Sequence, residues 1–229
     1  MNSRFRDRTH AGQLLAQRLG KYTDRADVIV LGLPRGGVPV AYAVARELHA
    51  PLDVFLVRKL GVPGYSELAM GAIATGGVRV LNDTVIRELG ISGQAIDAEA
   101  RAQEAALRHR ELAYRGHGTA PIIRGQTVIV VDDGIATGST MRAAVQAIRR
   151  QGAARIIIAS PVAALSSCGD LKRYADELVA LITPENFIAV GQWYANFSQT
   201  SDEEVTALLD QAREDLQSAV SRQPHRESA

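Results

Sequence analysis

Two adjacent carboxylates, Asp132 and Asp133, follow four aliphatic residues and precede a small hydroxyl-bearing loop in the stretch VIVVDDGIATGST, residues 128–140. A continuous aliphatic run of that length reads as a strand buried on both faces. In an open parallel sheet, ligands bind beyond the carboxyl ends of the strands, so the acidic pair would project into a binding crevice. Carboxylates held there must be answered by hydroxyls or by a cation. The loop residues Ala136, Thr137, Gly138, Ser139 and Thr140 run directly into a helical pattern. Unpaired N–H groups at that helix start, together with the three hydroxyls, can wrap a phosphate. Gly138 permits close backbone approach. A ligand offering diol hydroxyls one sugar's width from a phosphate, such as a ribose 5-phosphate, satisfies both halves.

Other chemistries fit less well. A magnesium-dependent P-loop nucleotidase needs G-x-x-x-x-G-K-[ST], and a serine hydrolase of the elbow type needs G-x-S-x-G; the chain contains neither. A second glycine-bearing turn, GLPRGGVPV at residues 32–40, offers backbone amides and Arg35, although a double glycine at such a turn also serves tight packing. Arg58 and Lys59 are adjacent cations that either neutralise a polyanion or end a strand in solvent. Cys168 in LSSCGD could be a nucleophile at a helix start, but no His partner is set beside it, and a half-buried small residue is the simpler reading.

The elements that hold these residues follow from periodicity. Apolar positions 11, 14, 15 and 19 mark an opening helix, and DVIVLGLP a short buried strand. Val40, Val44 and Leu48 share one face of the next helix, and LDVFLV reads as a second buried strand. The twenty residues RKLGVPGYSELAMGAIATGG then read as a long glycine-rich loop, well beyond the usual ~4 to 6. VRVL resumes strand character, and residues 97–114 form a long polar helix whose charges face solvent. After the acidic motif, Met141, Ala144, Val145 and Ile148 line a helix, RIIIASPV and ELVALIT are further strands, and PENFIAVGQWYANFSQT is an aromatic segment outside the core. Ser201 and Glu204 form a capping box for a last helix carrying Val205, Leu208, Leu209 and Ala212.

Strands alternating with helices predict an α/β fold with an open, mostly parallel sheet flanked by helices. The expected organisation is a single domain over residues 1–220, with a core at about 26–183, a hood at about 184–200 joined by the terminal helices, and a disordered tail at 221–229. The 26 Lys and Arg against 25 Asp and Glu give a net charge of +1, which argues against nucleic acid or a membrane surface as main partner. The basic stretch RHRELAYRGHG, residues 108–118, lacks aromatic interleaving and reads as a solvated face or subunit contact. One cysteine, no apolar leader and no run of ~20 apolar residues lead to the expectation of a soluble cytoplasmic protein.

Residues 128–140 resemble the signature with which type I phosphoribosyltransferases bind 5-phosphoribosyl-1-pyrophosphate (PRPP). The resemblance implies that Asp132 and Asp133 hold the ribose hydroxyls and that Ala136 through Thr140 hold the 5-phosphate. It also implies that Arg35, Gly36 and Gly37 grip pyrophosphate in a loop often containing a non-proline cis peptide, helped by Arg58 and Lys59. The long loop is similar to the family's lid, and Trp193, Tyr194 and Phe197 occupy the place of its hood, where they either stack on an acceptor or anchor the segment. Mg²⁺ is implied as a passenger of PRPP, without a direct protein cage but with Asp132 and Asp133 as outer-shell contacts. A small-molecule acceptor and a homodimer are implied as partners. Enzymes for 6-oxopurines resemble DDxxDTG, whereas this chain has Ala136 at the third acidic position. That detail is closer to adenine enzymes, which use a lid glutamate, and Glu67 is the lid carboxylate available. Taken together, LPRGGVPVA, VRKLGVPG, DDGIATG and NFIAVGQWY resemble a bacterial group described only as phosphoribosyltransferases, over about residues 4–210. A PRPP- or nucleotide-binding regulator without transfer, and a hydrolase with water as acceptor, are the alternatives.

Overall fold

A computed structural model of the protein describes residues 4–116 and 119–222. Its strands are β1 (Val28–Gly32), β2 (Leu52–Val54), β3 (Val57–Val62), β4 (Tyr65–Ala74), β5 (Val78–Leu81), β6 (Thr127–Val131), β7 (Arg155–Val162) and β8 (Glu177–Ile182). The helices are α1 (Arg8–Arg18), α2 (Gly37–Leu48), α3 (Asp83–Glu88), α4 (Gly93–Arg115), α5 (Ser139–Arg150), α6 (Leu165–Leu171) and α7 (Asp202–Arg222). Side-chain oxygens of Asp7, Asn82 and Ser92 cap α1, α3 and α4 by accepting from backbone N–H groups. Ser201 Oγ likewise accepts from the Glu204 N–H at 3.1 Å at the start of α7, one half of the capping box expected from the sequence.

Strands β2-β1-β6-β7-β8 form a parallel sheet in that order. Every residue of β1 and β6 is buried, as continuous aliphatic strands require. Alternate side chains serve opposite faces: Val28, Val30, Ile129 and Val131 join one core with α1, α2 and α7, while Ile29, Leu31, Val128 and Val130 join another with α5 and α6. The chain passes from β1 to β2 on one side and resumes at β6 on the other. Strand order therefore reverses between β1 and β6, which pair in register from Val28↔Thr127 to Gly32↔Val131. A switch point of this kind opens a crevice at the strands' carboxyl ends.

Two sequence expectations are corrected here. The glycine-rich stretch after Val57 is a hairpin, with β3 and β4 antiparallel and β5 added beside β4. Val62 pairs with Tyr65 across Pro63 and Gly64, whose φ of +80° suits the third position of a tight turn. Interrupted alternation hid these strands, because register shifts at Leu60/Gly61 and Gly61/Val62 break the period of two. LDVFLV, in turn, is not one strand: it leaves the parallel sheet after Val54 and enters the hairpin sheet at Val57. Aliphatic continuity reported burial, not membership of one sheet. Arg58 and Lys59 thus lie within β3 rather than at a strand end.

The hairpin sheet is packed against two helices. Leu60, Met70 and Ile73 meet Ala100 and Leu107 of α4, while Ala74 and Val80 join the cluster of α5. The long helix begins at Gly93, buries Ala100, Leu107, Tyr114 and Arg115, and packs Ile96 against the same core. Within the basic stretch, Arg115 is buried against Asp53 at 2.8 Å and the Val54 carbonyl at 2.7 Å. Residues 117–118 and 223–229 lie outside the described residues, and with them most of the expected tail; residues 221–222 continue α7. Among the described residues no helix is long and apolar enough to cross a membrane.

Candidate phosphoribosyl site

The loops that follow β1 and β6 lie side by side. The Leu33 N–H donates to the Val131 carbonyl at 2.9 Å, so residues 33–37 and 132–138 leave the sheet together. Contact between them leaves no space for side chains. A Cβ on Gly36 would lie 2.0 Å from Asp133 Oδ2, and one on Gly37 would lie 2.8 Å from the Val131 carbonyl oxygen. The double glycine is therefore required by the acidic pair, and the Pro34–Arg35 peptide beside it is cis.

Asp132 Oδ1 accepts from the Asp133 N–H at 2.9 Å. Asp133 Oδ2 accepts from Arg8 Nε at 2.8 Å, with both side chains nearly buried. Burial, and after it the Asp133 charge, push the Asp132 carboxyl well above the usual carboxylate range. Burial raises Asp133 as well, and the Arg8 hydrogen bond opposes the rise.

The 5-phosphate loop predicted from the sequence opens α5, with Gly138 at φ +72° as the residue before its first turn. Thr137, Ser139 and Thr140 are exposed or lie at the loop surface, and the Thr137 and Ser139 hydroxyls lie 3.2 Å apart. Behind the loop, the Ile135 N–H donates to the Val162 carbonyl at 2.9 Å and the Ala164 N–H to the Ile135 carbonyl at 2.8 Å. Ser167 Oγ donates to the Ala136 carbonyl. Leu171 fills the space beside Gly138. Cys168 is buried inside α6, its thiol donates to the Ala164 carbonyl, and burial raises its pKa, the behaviour of a packing residue.

The hood is assembled from both ends of the chain. Phe5 pairs with Tyr194 as an isolated parallel bridge, and the Phe5 N–H donates to the Trp193 carbonyl at 2.8 Å. Trp193 and Tyr194 are buried with Phe5, Ala11 and Val162, whereas Phe197 is 37% exposed. The aromatic segment is therefore partly a core element, contrary to the expectation from its sequence, because the N-terminal residues cover it. Tyr194 Oη donates to the Asp133 carbonyl at 2.6 Å, which ties hood to acidic pair. Arg8 packs its guanidinium 4.0 Å over the Phe197 ring.

On the hairpin, Arg58 Nε donates to Gln103 Oε1 of α4 at 2.7 Å. Lys59 follows it in β3, and Glu67 is the third residue of β4; the Glu67 side chain lies outside the described part. Sequence reasoning missed Arg8, Ser167 and the Tyr194 hydroxyl. Nothing local marks them, since each acts on a residue far away in the chain.

The model of the phosphoribosyl transferase domain matches residues 63–197, more than half of the chain. The chain belongs to the phosphoribosyltransferase family. Two Mycobacterium tuberculosis proteins, each named "Putative phosphoribosyl transferase", are 51% identical to it over 216 residues, which is 94% of this chain and 48% of theirs. The chain thus spans about half the length of the curated relatives it matches. The crystal structure of TT1426 from Thermus thermophilus is 44% identical, with a TM-score of 0.80 over 90% of this chain and 97% of that one. A Neisseria gonorrhoeae hypothetical protein with bound ppGpp shares the fold at 13% identity, with a TM-score of 0.50 over 93% and 99% of the two chains.

Proposed function

We propose that this chain transfers the 5-phosphoribosyl group of PRPP to a small nitrogenous acceptor and releases pyrophosphate. The observation that carries the reading is the contact of Gly36 and Gly37 with the acidic pair at the switch point, beside the hydroxyl-bearing start of α5. One ligand with a diol, a 5-phosphate and a pyrophosphate spans all three.

Asp132 and Asp133 accept from the ribose hydroxyls, and Ala136 through Thr140 hold the 5-phosphate at the helix start. Arg35, Gly36 and Gly37 hold the pyrophosphate, with Arg58 and Lys59 as hairpin cations over it. The acceptor nitrogen's lone pair forms a bond to the anomeric carbon on one face. On the other, the carbon–oxygen bond breaks and its electron pair leaves with pyrophosphate, so configuration inverts. Bond breaking leads, as in glycoside chemistry, and the sugar gains cationic character that water would trap. The β3–β4 hairpin is the cover that excludes it, and Glu67 is its carboxylate for the acceptor's proton. Phe197, with one face taken by Arg8, is the hood ring that keeps exposed area for a planar acceptor.

Two carboxylates beside an oxygen-rich ligand suit a hard divalent cation. Mg²⁺ would ride on PRPP oxygens with Asp132 and Asp133 in its outer shell, and when bound it neutralises charge on the departing pyrophosphate.

The test is pyrophosphate release from PRPP and Mg²⁺ across purine, pyrimidine and pyridine bases, with PRPP binding measured alongside. Base-dependent release supports transfer. Saturable binding without release points to the regulator, and base-independent release of ribose 5-phosphate to hydrolysis. Absence of binding would sink the assignment.

A further inference from the structure

Arg8 stands outside the segment matched by the family model, yet its side chain reaches from α1 into the acidic pair. Its guanidinium is engaged on several sides. Nε donates to Asp133 Oδ2 at 2.8 Å, Nη1 donates to the Ser198 carbonyl at 2.6 Å, and the planar face covers Phe197 at 4.0 Å. Nε also lies 3.3 Å from where a Gly36 Cβ would be, so the side chain sits where both ligand loops and the hood converge. The side chain is 11% exposed and its Asp133 partner 13%. A charge-assisted bond in so dry a place orients a carboxylate far more strongly than a surface pair would.

We infer that Arg8 is a positioning residue for ribose recognition, which fixes the Asp133 carboxylate against Gly36 and couples that orientation to the Phe197–Ser198 end of the hood. The inference rests on the phosphoribosyl reading above. Nε and Nη1 are both spent on protein oxygens, so the influence of Arg8 on a ligand runs through Asp133 and falls on those that carry ribose. Two adjacent carboxylates repel, and without a fixed cation Asp133 would swing from Asp132 and lose the geometry a diol needs. The Tyr194 hydroxyl holds the Asp133 backbone carbonyl, while Arg8 holds the side chain.

The experiment is calorimetric titration of the full chain and its Arg8→Gln and Arg8→Lys variants with three probes: PRPP with Mg²⁺, ribose 5-phosphate, and pyrophosphate with Mg²⁺. Glutamine removes the charge and keeps most of the volume. The expected result is a loss of about tenfold or more for both ribose-bearing probes, little change for pyrophosphate, and recovery by lysine to within about threefold of wild type. Unchanged ribose affinity in Arg8→Gln overturns the inference. So does a proportional loss of all three probes, the mark of a merely structural role, or a loss confined to pyrophosphate. Should Arg8→Gln fail to fold, Arg8→Met, which keeps the length and loses the charge, takes its place under the same outcomes, with Arg8→Lys again expected to recover ribose affinity to within about threefold. A wild-type chain that binds neither PRPP nor ribose 5-phosphate overturns the phosphoribosyl reading itself, and this inference with it.

Discussion

A side chain at position 36 and the Asp133 carboxylate exclude one another: a Cβ on Gly36 would stand 2.0 Å from Asp133 Oδ2 and 2.7 Å from its Cγ. Neither group has an easy retreat, because Arg8 holds that same oxygen. The Gly36→Ala variant is therefore expected to fold and to lose PRPP affinity by about tenfold or more, as the carboxylate is driven from its position. Titration with PRPP and Mg²⁺ checks this; wild-type affinity would show that the pair tolerates displacement.

Asp132 offers a pH test with a definite sign. Its folded-state pKa is raised by burial and by Asp133, so the native state holds the proton more firmly than the unfolded chain does. The contribution to stability is then present below the unfolded value of ~3.9 and is lost as pH rises through the raised folded value. Asp132→Asn removes that loss and keeps an oxygen for the Asp133 N–H. At neutral pH it should be more stable than wild type, with the gap closing as pH falls, while PRPP binding is weakened. Denaturant melts across the acid range measure the gap. A variant less stable than wild type at pH 7 would contradict the argument.

Thr137 probes the assignment of the two phosphate loops. Its hydroxyl is exposed beside that of Ser139 at the start of α5, and Thr137→Val removes a donor at constant shape. A loss of about tenfold is expected for ribose 5-phosphate and PRPP alike. Weakened pyrophosphate binding with ribose 5-phosphate unaffected would exchange the roles of the loops.

Trp193 separates packing from polarity in the hood. Its ring is buried, and its Nε1 has no hydrogen-bond partner among the described residues. Trp193→Phe should accordingly cost clearly less than full truncation, since no bond is lost and the cavity left is smaller. Trp193→Ala should cost ~3 to 5 kcal/mol through the cavity it leaves. Equal losses in chemical denaturation would mean that the indole N–H matters after all.

Much of this was legible before any coordinates. The aliphatic runs in DVIVLGLP and TVIVV read as buried strands, and the pattern beginning at Met141 read as a helix, because burial on a regular element imposes a pattern on the sequence. The hairpin escaped notice for the converse reason: its register shifts interrupt the period, and Gly and Ala carry little pattern. The Pro63–Gly64 turn was the one local signal there, and it is modest without alternation on either side.

By itself the sequence determined the chemistry on offer: two carboxylates at a strand end, a hydroxyl-bearing loop at a helix start, and glycines where backbones must approach. Those are local facts, fixed by neighbours in the chain and by the geometry of a strand running into a helix. Only the tertiary structure decided which cation answers Asp133, which hood ring remains exposed, and that the acidic pair itself demands Gly36. Arg8 and Asp133 are 125 residues apart, and Tyr194 and Asp133 are 61 apart. Contacts of that span come from the docking of α1 and the hood onto the sheet's carboxyl edge, and packing between distant elements leaves no periodic trace in the sequence from which a partner could be read.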